Sequence, residues 1–423
     1  MAHFKVTTRS SLLVCIFFSG ISLAESVLPS CNGDARPFSV WMADSVISRG
    51  QAILHPGTTP EASTFLQVGV FQNAILQLKN HYGTPEQACA QANWDEYLAE
   101  STESVMPWLL NSTQDTQYPL DRFSDGNALF NQYETTRNET YKVALDALRQ
   151  SIDLQPRNKY EGYWYFKYPN WSYLDGMYSL IPFYSTYTAH FTPHNRTAVA
   201  KDLVYQLELL WTHCRQNSTG LLVHGYDASE TAVWANQATG ASPIVWIRSL
   251  GWYMMALVDL LELSRPHGVL SQDQWNHIHR RFVALSNAVM AAADPDSGCW
   301  WQVMTEPRRE GNYIESSGSA MFTYALYKGA RLGYLNGRRD KYSGPGPTDL
   351  ASKCYGHMVE DFVVDNKNGT LGYNGTVSVC SLNSSATYEY YVHQPLLYNS
   401  VHGSASFILA SLEHEVAANV SRH

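Results

Sequence analysis

Residues 141–153 read YKVALDALRQSID. Their apolar side chains recur with the 3.6-residue period of an α-helix, which places four of them on or near one face: Val143, Leu145, Leu148 and Ile152. The same period appears in residues 251–263, 275–292, 318–332 and 403–414. Strand alternation is sparse, and turn-rich stretches separate the helical ones. The pattern therefore predicts a mostly α-helical chain.

A chain of 423 residues with a helix about every 30 to 35 residues would contain roughly a dozen helices. Such a set fits a toroid of helical hairpins and an irregular bundle equally well. Residues 335–352 are rich in Gly, Pro and charge, but only about 70 residues follow them, which favours a surface loop over a domain boundary. The periodicity alone leaves the architecture and the domain count open.

The first 24 residues have the organisation of a secretory signal peptide. They carry Lys5 and Arg9, then an apolar run over residues 12–18, and they end in SLA at residues 22–24. A membrane anchor is the alternative, but the apolar run is shorter than the roughly 20 residues that a spanning helix needs. We expect cleavage near Ala24 and a secreted, extracellular chain with no membrane attachment.

Composition narrows the partners and the compartment. An excess of 38 acidic over 29 basic residues disfavours a nucleic-acid partner. Six cysteines follow residue 24 and allow up to three disulfides, with Cys354 and Cys380 as the first pair we expect. No cysteine or histidine spacing indicates a metal site. Nine sequons are typical of a glycosylated eukaryotic secreted protein: Asn111, Asn138, Asn170, Asn195, Asn217, Asn368, Asn374, Asn383 and Asn419.

Aromatic residues cluster around polar ones in YWYFKYPNW, residues 163–171, and in YLDGMY, residues 173–178. Aromatic faces beside hydrogen-bonding groups suit sugar rings, although an aromatic core is the plainer interpretation. Asp175 could cap the helix that follows it. Alternatively it is a proton donor, which requires a protonated carboxyl group, and burial or a neighbouring carboxylate favours that form.

Two further segments carry candidate binding residues. The first is GLLVHGYD, residues 220–227, followed by WIRSLGWY, residues 246–253, where helical spacing puts Arg248 and Trp252 on one face. That pair could bind a carboxylate and stack on a sugar, or it could be a structural cation–π contact. The second is EGNYIESSGSAMF, residues 310–322, where small residues open a closely packed helix and Glu315 is expected to be structural.

Together these segments, in this order between about residues 120 and 410, resemble glycoside hydrolase family 105, the unsaturated rhamnogalacturonyl hydrolases, in a secreted, fungal form. The resemblance implies an all-α fold, an (α/α)6 barrel with its site at one mouth, and a single catalytic domain over residues 25–423. It also implies that Asp175 is the acid/base, that Asp121 is a second acidic residue, and that four residues bind substrate: His224, Trp246, Arg248 and Trp252.

The sequence departs from the family pattern before the Tyr-Pro pair. The family usually has Trp-His-Lys there, whereas this chain has Trp164-Tyr165-Phe166-Lys167. The histidine contact is therefore missing or supplied by Tyr165, and Lys167 is a candidate ligand for the substrate carboxylate. Near the C-terminus an expected Asn-Asp is replaced in the segment NSVHG, residues 399–403.

The reaction implied by the resemblance is hydration of a terminal 4,5-unsaturated uronic acid on a pectin-derived oligosaccharide. Asp175 would protonate C4 and then activate the water that adds at C5, while a negatively charged Asp121 would orient it and favour its protonation. This chemistry requires neither a metal nor an organic cofactor. Two alternatives stay open: an inverting glycosidase that acts on saturated glycans, and a secreted uronide-binding protein without turnover. The sequence leaves the oligomeric state undetermined.

Overall fold

The computed structural model describes residues 30–31, 34–265, 268–335 and 344–420. It divides into two compact units, Met1–Arg36 and Pro37–His423. In the first unit, strand β1 (Ser30–Cys31) pairs with β2 (Asp34–Ala35) in an antiparallel ladder. The proposed signal peptide lies outside the described residues. None of the helices in the described ranges is long and apolar enough to cross a membrane.

Helices dominate the second unit. The long ones are α1 (Phe38–Ser48), α2 (Thr64–Tyr82), α3 (Trp94–Val105), α5 (Gly126–Thr136), α6 (Glu139–Leu154), α7 (Gly176–Phe191), α8 (Arg196–Cys214), α9 (Ile247–Leu263), α10 (Gln272–Ala291), α11 (Ser316–Arg331), α12 (Pro347–Asp361) and α14 (Val401–Val420). The short ones are α4 (Ser112–Asp115), α13 (Tyr388–Val392) and three 3₁₀ segments, Met106–Trp108, Leu120–Asp125 and Pro193–Asn195.

The long helices form two concentric rings. In the inner ring, α2 packs on the Leu120–Asp125 segment that leads into α5, and contacts continue through α7, α9, α11 and α14 back to α2. The helices α1, α3, α6, α8, α10 and α12 alternate with these along the chain and form the outer ring. The fold is an (α/α)6 barrel, as the motifs predict.

The two rings bury their helices differently. Every residue of the inner helix α9 from Ile247 to Leu261 is buried, because the helix is surrounded by other helices. The outer helix α6 buries only one face, which includes Leu145, Leu148 and Ile152. Val143 is 53% exposed, so its predicted place on the apolar face is wrong. It lies on the side of α6 that faces solvent.

Four short strands connect the helices. Strand β3 (Trp171–Tyr173) pairs antiparallel with β4 (Gly225–Asp227), and β5 (Val363–Asp365) pairs antiparallel with β6 (Leu371–Tyr373). The β3–β4 register places Tyr173 opposite Gly225, and the Leu174 N–H donates to the His224 carbonyl at 3.1 Å. This ladder therefore brings the chain segments before Asp175 and after His224 side by side.

One disulfide joins Cys299 to Cys354, whose Cα atoms are 4.7 Å apart. The predicted Cys354–Cys380 pair is therefore wrong. Cys354 lies on α12, and Cys299 lies in the loop between α10 and α11, so the bond joins segments that are 55 positions apart in sequence. Cys380 is buried elsewhere, and its sulfur accepts a hydrogen bond from Gln302 Nε2 at 3.6 Å.

Candidate active site

A cavity of about 310 Å³ lies where the inner helices begin. Seven of the eight predicted site residues line it: Asp121, Tyr165, Asp175, His224, Trp246, Arg248 and Trp252. Asp121 precedes α5, Asp175 precedes α7, and Trp246 precedes α9. The barrel therefore gathers residues that are far apart in sequence, because the amino ends of its inner helices meet at one mouth.

Asp175 occupies the N-cap position of α7, yet its side chain caps no backbone N–H. Its Oδ2 instead accepts a hydrogen bond from the Ser249 hydroxyl at 2.5 Å and lies 3.3 Å from His224 Nε2. The residue is only 6% exposed. The structure thus turns this carboxyl group toward the cavity, and the capping role considered from the sequence does not occur.

His224 is held from its other side. Its Nδ1 lies 2.6 Å from the hydroxyl of Tyr391. Burial raises the pKa of Tyr391 well above its usual value, so this phenol keeps its proton and can donate to Nδ1. Nε2 is then the ring nitrogen that faces Asp175. Nε2 makes no hydrogen bond within the described residues, so Tyr391 orients the imidazole beside Asp175 while Ser249 supplies the hydrogen bond to the carboxyl group.

Asp121 is the second carboxyl group of the cavity. Its Oδ2 accepts a hydrogen bond from the Tyr165 hydroxyl at 2.7 Å, and its Oδ1 is buried without a hydrogen-bond partner among the described residues. Burial raises the pKa of Asp121 to about 8, with a further contribution from the charge of Asp175, while the Tyr165 hydrogen bond acts in the opposite direction. Burial therefore favours the protonated form of Asp121, whereas the sequence suggested a charged neighbour.

Arg248 makes more hydrogen bonds to other protein groups than its motif suggests. Its Nε donates to Ser317 at 2.8 Å, Nη1 donates to the Ser378 carbonyl at 3.3 Å, and Nη2 donates to the Val377 carbonyl. Nη2 also lies 3.4 Å from Glu315, which is fully buried. These contacts leave one Nη1 hydrogen without an acceptor in the described chain. A two-pronged bond to a substrate carboxylate is therefore not available in this arrangement.

The aromatic partners of the site also differ in detail from the expectation. The Arg248 guanidinium stands 5.3 Å from the Trp246 ring, while Trp252 packs against Tyr178 at 4.6 Å between ring centroids. The helical spacing of Arg248 and Trp252 thus does not produce the expected pair. Trp246 is oriented by a 3.1 Å hydrogen bond from its Nε1 to Gln302.

Lys167 is not among the residues that line the cavity. Its side chain is exposed, and its ammonium lies 5.5 Å from the ring of Phe166. Its predicted role as a carboxylate ligand therefore has no support from this geometry. Tyr165, by contrast, does occupy the cavity, and it binds Asp121.

Three residues of the site escape sequence reasoning: Ser249, Tyr391 and His402. Ser249 lies inside a quoted motif, but nothing in the spacing shows that its hydroxyl meets Asp175. Tyr391 is 167 positions from His224, so no local signal links the two. His402 lines the cavity near the start of α14, where the family pattern differs. Burial lowers its pKa well below the usual value, which keeps its imidazole neutral.

No group of three or more His, Cys, Asp or Glu side chains in the described ranges is arranged to hold a metal ion. The cavity is lined by two buried carboxyl groups and two tryptophans. Paired carboxyl groups are the usual equipment for breaking glycosidic bonds, and indole faces suit sugar rings. A helical barrel with this site at one mouth has the chemical groups that a glycoside hydrolase uses.

The chain belongs to Glycosyl Hydrolase Family 88, whose family model matches residues 41–417. It is 30% identical to a solved family 105 glycoside hydrolase of C. acetobutylicum, with a TM-score of 0.76, over 90% of this chain and 99% of that one. This similarity confirms the resemblance to family 105.

Two other relatives extend the comparison. The unsaturated glucuronyl hydrolase of Bacillus sp. GL1 has a TM-score of 0.59 at 12% identity, covering 90% of this chain and 95% of that one, so it shares the fold. Among curated proteins, "Protein Atu3128" of Agrobacterium fabrum is 34% identical over 201 residues, which are 46% of this chain and 82% of that protein.

Proposed function

We propose that this glycosidase removes a terminal 4,5-unsaturated uronic acid from rhamnogalacturonan oligosaccharides by hydrating the C4=C5 enol ether. The observation that carries the proposal is the carboxyl pair: the Asp175 carboxyl group accepts a hydrogen bond from Ser249 beside His224, and the Asp121 carboxyl group is buried, which raises its pKa. The family membership and the solved relative named an unsaturated glucuronyl hydrolase support the substrate class. The motifs shared with family 105 support the rhamnogalacturonan type.

The first step is protonation of the enol ether. Asp175 Oδ2 accepts the Ser249 hydrogen bond and lies 3.3 Å from His224 Nε2, so Oδ1 is the oxygen left to face the substrate. A proton held by the carboxyl pair moves through Asp175 to C4 of the unsaturated ring. The two electrons of the C4=C5 bond form the new C4–H bond, and the ring oxygen stabilises the resulting cation at C5.

The second step is addition of water. Asp175, now a carboxylate, removes a proton from the water whose oxygen bonds to C5, which restores the proton of the pair. The product is a hemiketal at C5. When the C5–O5 bond opens, C5 becomes a ketone and C1 becomes a hemiacetal, which collapses to an aldehyde and expels the neighbouring sugar. Water thus enters at C5, and no displacement at C1 is required.

In this mechanism Asp121 acts as a protonated carboxyl group and not as the negatively charged neighbour of Asp175 that the sequence suggested. Its protonated form holds the proton of the pair between turnovers, and its Oδ1 has no protein partner in the described chain to compete for that proton. Trp246 and Trp252 form the walls that stack on the sugar. The free Nη1 hydrogen of Arg248 offers a single hydrogen bond to the uronate carboxylate.

We also propose that the protein is secreted as a glycoprotein, as the N-terminal segment and the sequons suggest. Of the eight sequon asparagines whose side chains are described, seven are exposed and Asn170 is half-buried. Asn111 and Asn138 each cap a helix through Oδ1. An N-linked glycan is attached to the amide nitrogen and leaves that oxygen free to cap. The exposure of these asparagines and the capping role of Asn111 and Asn138 are therefore compatible with N-linked glycosylation.

A substrate panel tests the proposed specificity. The mature protein is incubated with an unsaturated galacturonyl-rhamnose disaccharide, an unsaturated glucuronyl disaccharide and the saturated galacturonyl-rhamnose disaccharide, and released sugars are measured by mass spectrometry. We expect release of rhamnose from the first and none from the saturated compound. Cleavage of the saturated compound would favour the inverting glycosidase. Binding of all three without release would favour a uronide-binding protein.

A further inference from the structure

A second cavity, of about 570 Å³, lies at the opposite end of the inner ring. It is larger than the catalytic cavity and is within the size range of small-molecule sites. All six inner helices contribute to its lining, with Gln77, Asn127, Tyr178, Asp259, Lys328 and Glu413 as one example from each. Its exposed lining residues include Asn80 and Leu263, near the carboxyl ends of α2 and α9, so the cavity opens there.

An aromatic pair separates the two cavities. Trp252 lines the catalytic cavity, Tyr178 lines the second one, and their ring centroids are 4.6 Å apart. The hydroxyl of Tyr178 accepts a hydrogen bond from Asn73 at 3.1 Å, which orients the ring. A ligand in the second cavity would therefore contact the Tyr178 side of this aromatic pair, whereas a ligand at Asp175 would contact the Trp252 side.

The charged side chains of the second cavity are already paired. Lys328 lies 2.7 Å from Asp259 and 2.6 Å from Glu262, and Arg331 binds Glu413 through two hydrogen bonds of 2.6 and 2.7 Å. Three carboxylates therefore offset two cations. An anionic ligand would find no uncompensated positive charge among these groups, so the electrostatics favour a neutral ligand.

Other polar groups of the cavity are uncommitted. The Ser179 hydroxyl is 2% exposed and has no hydrogen-bond partner in the described chain. The half-buried amides of Asn127 and Asn131 likewise make no hydrogen bond to other described residues. Because a buried polar group without a partner costs free energy, these groups are poised to bind a ligand. Phe123 and Phe130 supply aromatic surface beside them.

From this arrangement we infer that the second cavity is a binding site for a neutral saccharide of one or two rings. Amide and hydroxyl groups can exchange hydrogen bonds with neighbouring sugar hydroxyls, and aromatic carbons can contact the C–H face of the ring. The paired charges, with three carboxylates against two cations, disfavour uronates at this site, whereas the catalytic cavity accepts them under the proposed function. The two cavities thus select different sugars, and binding at the second one does not depend on turnover at the first.

Calorimetric titration of the intact protein tests this inference, with galactose as the neutral probe and galacturonate as the anionic one. The variants are Asn127→Leu in the second cavity and His224→Ala in the catalytic cavity. We expect galactose to bind wild type and His224→Ala equally, with a Kd of about 1 mM or tighter. Asn127→Leu should weaken that binding by about tenfold. Galacturonate binding should not respond to Asn127→Leu.

Ser179→Ala provides a second variant of the same site that removes one oxygen and leaves the packing otherwise intact. It should also weaken galactose binding while its melting temperature stays at the wild-type value. Galactose binding that is lost in His224→Ala and unchanged in Asn127→Leu and Ser179→Ala would place the sugar in the catalytic cavity and overturn the inference. Absence of binding by galactose, rhamnose and lactose alike at tens of millimolar would overturn it as well.

Discussion

Ser249 allows a specific test of how the Asp175 carboxyl group is positioned. Its hydroxyl donates to Asp175 Oδ2 at 2.5 Å and it is fully buried. Hydrogen bonds to charged groups contribute about 1.5–3 kcal/mol. Ser249→Ala should therefore lower kcat by roughly tenfold to a hundredfold and change KM little, because it frees the carboxyl group to rotate while leaving the cavity walls in place.

The matched control for this substitution is Ser286→Ala in α10, since Ser286 is also fully buried and its hydroxyl has no hydrogen-bond partner among the described residues. Steady-state kinetics of the two variants should separate them. Equal activity of both variants would show that Ser249 does not position Asp175.

The carboxyl pair also predicts the pH dependence of catalysis. Burial raises the pKa of Asp121 to about 8, so its proton is present below that pH and is lost as the pH rises through it. We expect kcat/KM to decline on the alkaline side near pH 8. The Tyr165 hydrogen bond lowers this pKa, so Tyr165→Phe should move the alkaline limb upward. Rates that stay flat from neutral to strongly alkaline pH in wild type would contradict the assigned role.

The sequence predicts the identity of most site residues but not their bonds. Asp175, His224 and Trp246 are recognisable because each lies in a motif with local spacing. The Arg248–Glu315 ion pair and the His224–Tyr391 hydrogen bond join residues that only the closed barrel brings together. The pairing with Glu315 is also why Arg248 is less available than its motif indicates, whereas burial inside the closed barrel is what raises the pKa of Asp121.

Among the helices, the contact between α2 and the Leu120–Asp125 segment decides where Asp121 lies. A Cβ atom on Gly69 of α2 would stand 2.5 Å from the backbone carbon of Ser124. Gly69→Ala should therefore displace this segment, lower the free energy of unfolding by about 1–3 kcal/mol, and reduce kcat together with the melting temperature. Thermal melts and kinetics of the same preparation measure both effects.

Gly356→Ala in α12 is the control for that experiment. Nothing lies within 4 Å of a Cβ atom at this exposed position, so alanine should stabilise the helix by about 0.5–1 kcal/mol. A Gly69→Ala protein as stable and as active as wild type would show that the close packing of α2 on this segment is not required.

Helix positions are the part of the fold that sequence periodicity predicts well. All five periodic stretches are helical, and α9, α11 and α14 begin within a few residues of the expected positions. The error at Val143 has a physical cause, since an apolar residue beside the buried face can still point to solvent. The Cys299–Cys354 bond could not be predicted, because it depends on how α12 packs beside the loop before α11.

In the molecule as a whole, six inner helices alternate along the chain with six outer ones, and the inner helices contact one another in a closed ring. The sequence contains this alternation, but periodicity alone does not distinguish a closed ring from a bundle. The motif order resolves that choice through the family resemblance. The closed ring then produces two mouths, and the proposed catalytic chemistry is confined to the one where the inner helices begin.

Secretion as a glycoprotein predicts a mass change for the whole chain. Expression in a eukaryotic secretory host, followed by treatment with a peptide N-glycosidase, should lower the apparent mass and convert modified asparagines to aspartates. Peptide mass spectrometry should find such conversions at exposed sequons such as Asn217 and Asn383. A chain retained in the cell, or secreted without any such conversion, would contradict this proposal.

The most direct test of the central claim follows the ultraviolet absorbance of the enol ether during turnover. Wild type, Asp175→Asn and Ser286→Ala are compared on an unsaturated galacturonyl-rhamnose disaccharide. We expect the band to disappear with wild type and with Ser286→Ala, in step with release of rhamnose, and to persist with Asp175→Asn. Loss of the band at the wild-type rate with Asp175→Asn would contradict the role of Asp175, and a persistent band with wild type would contradict hydration itself.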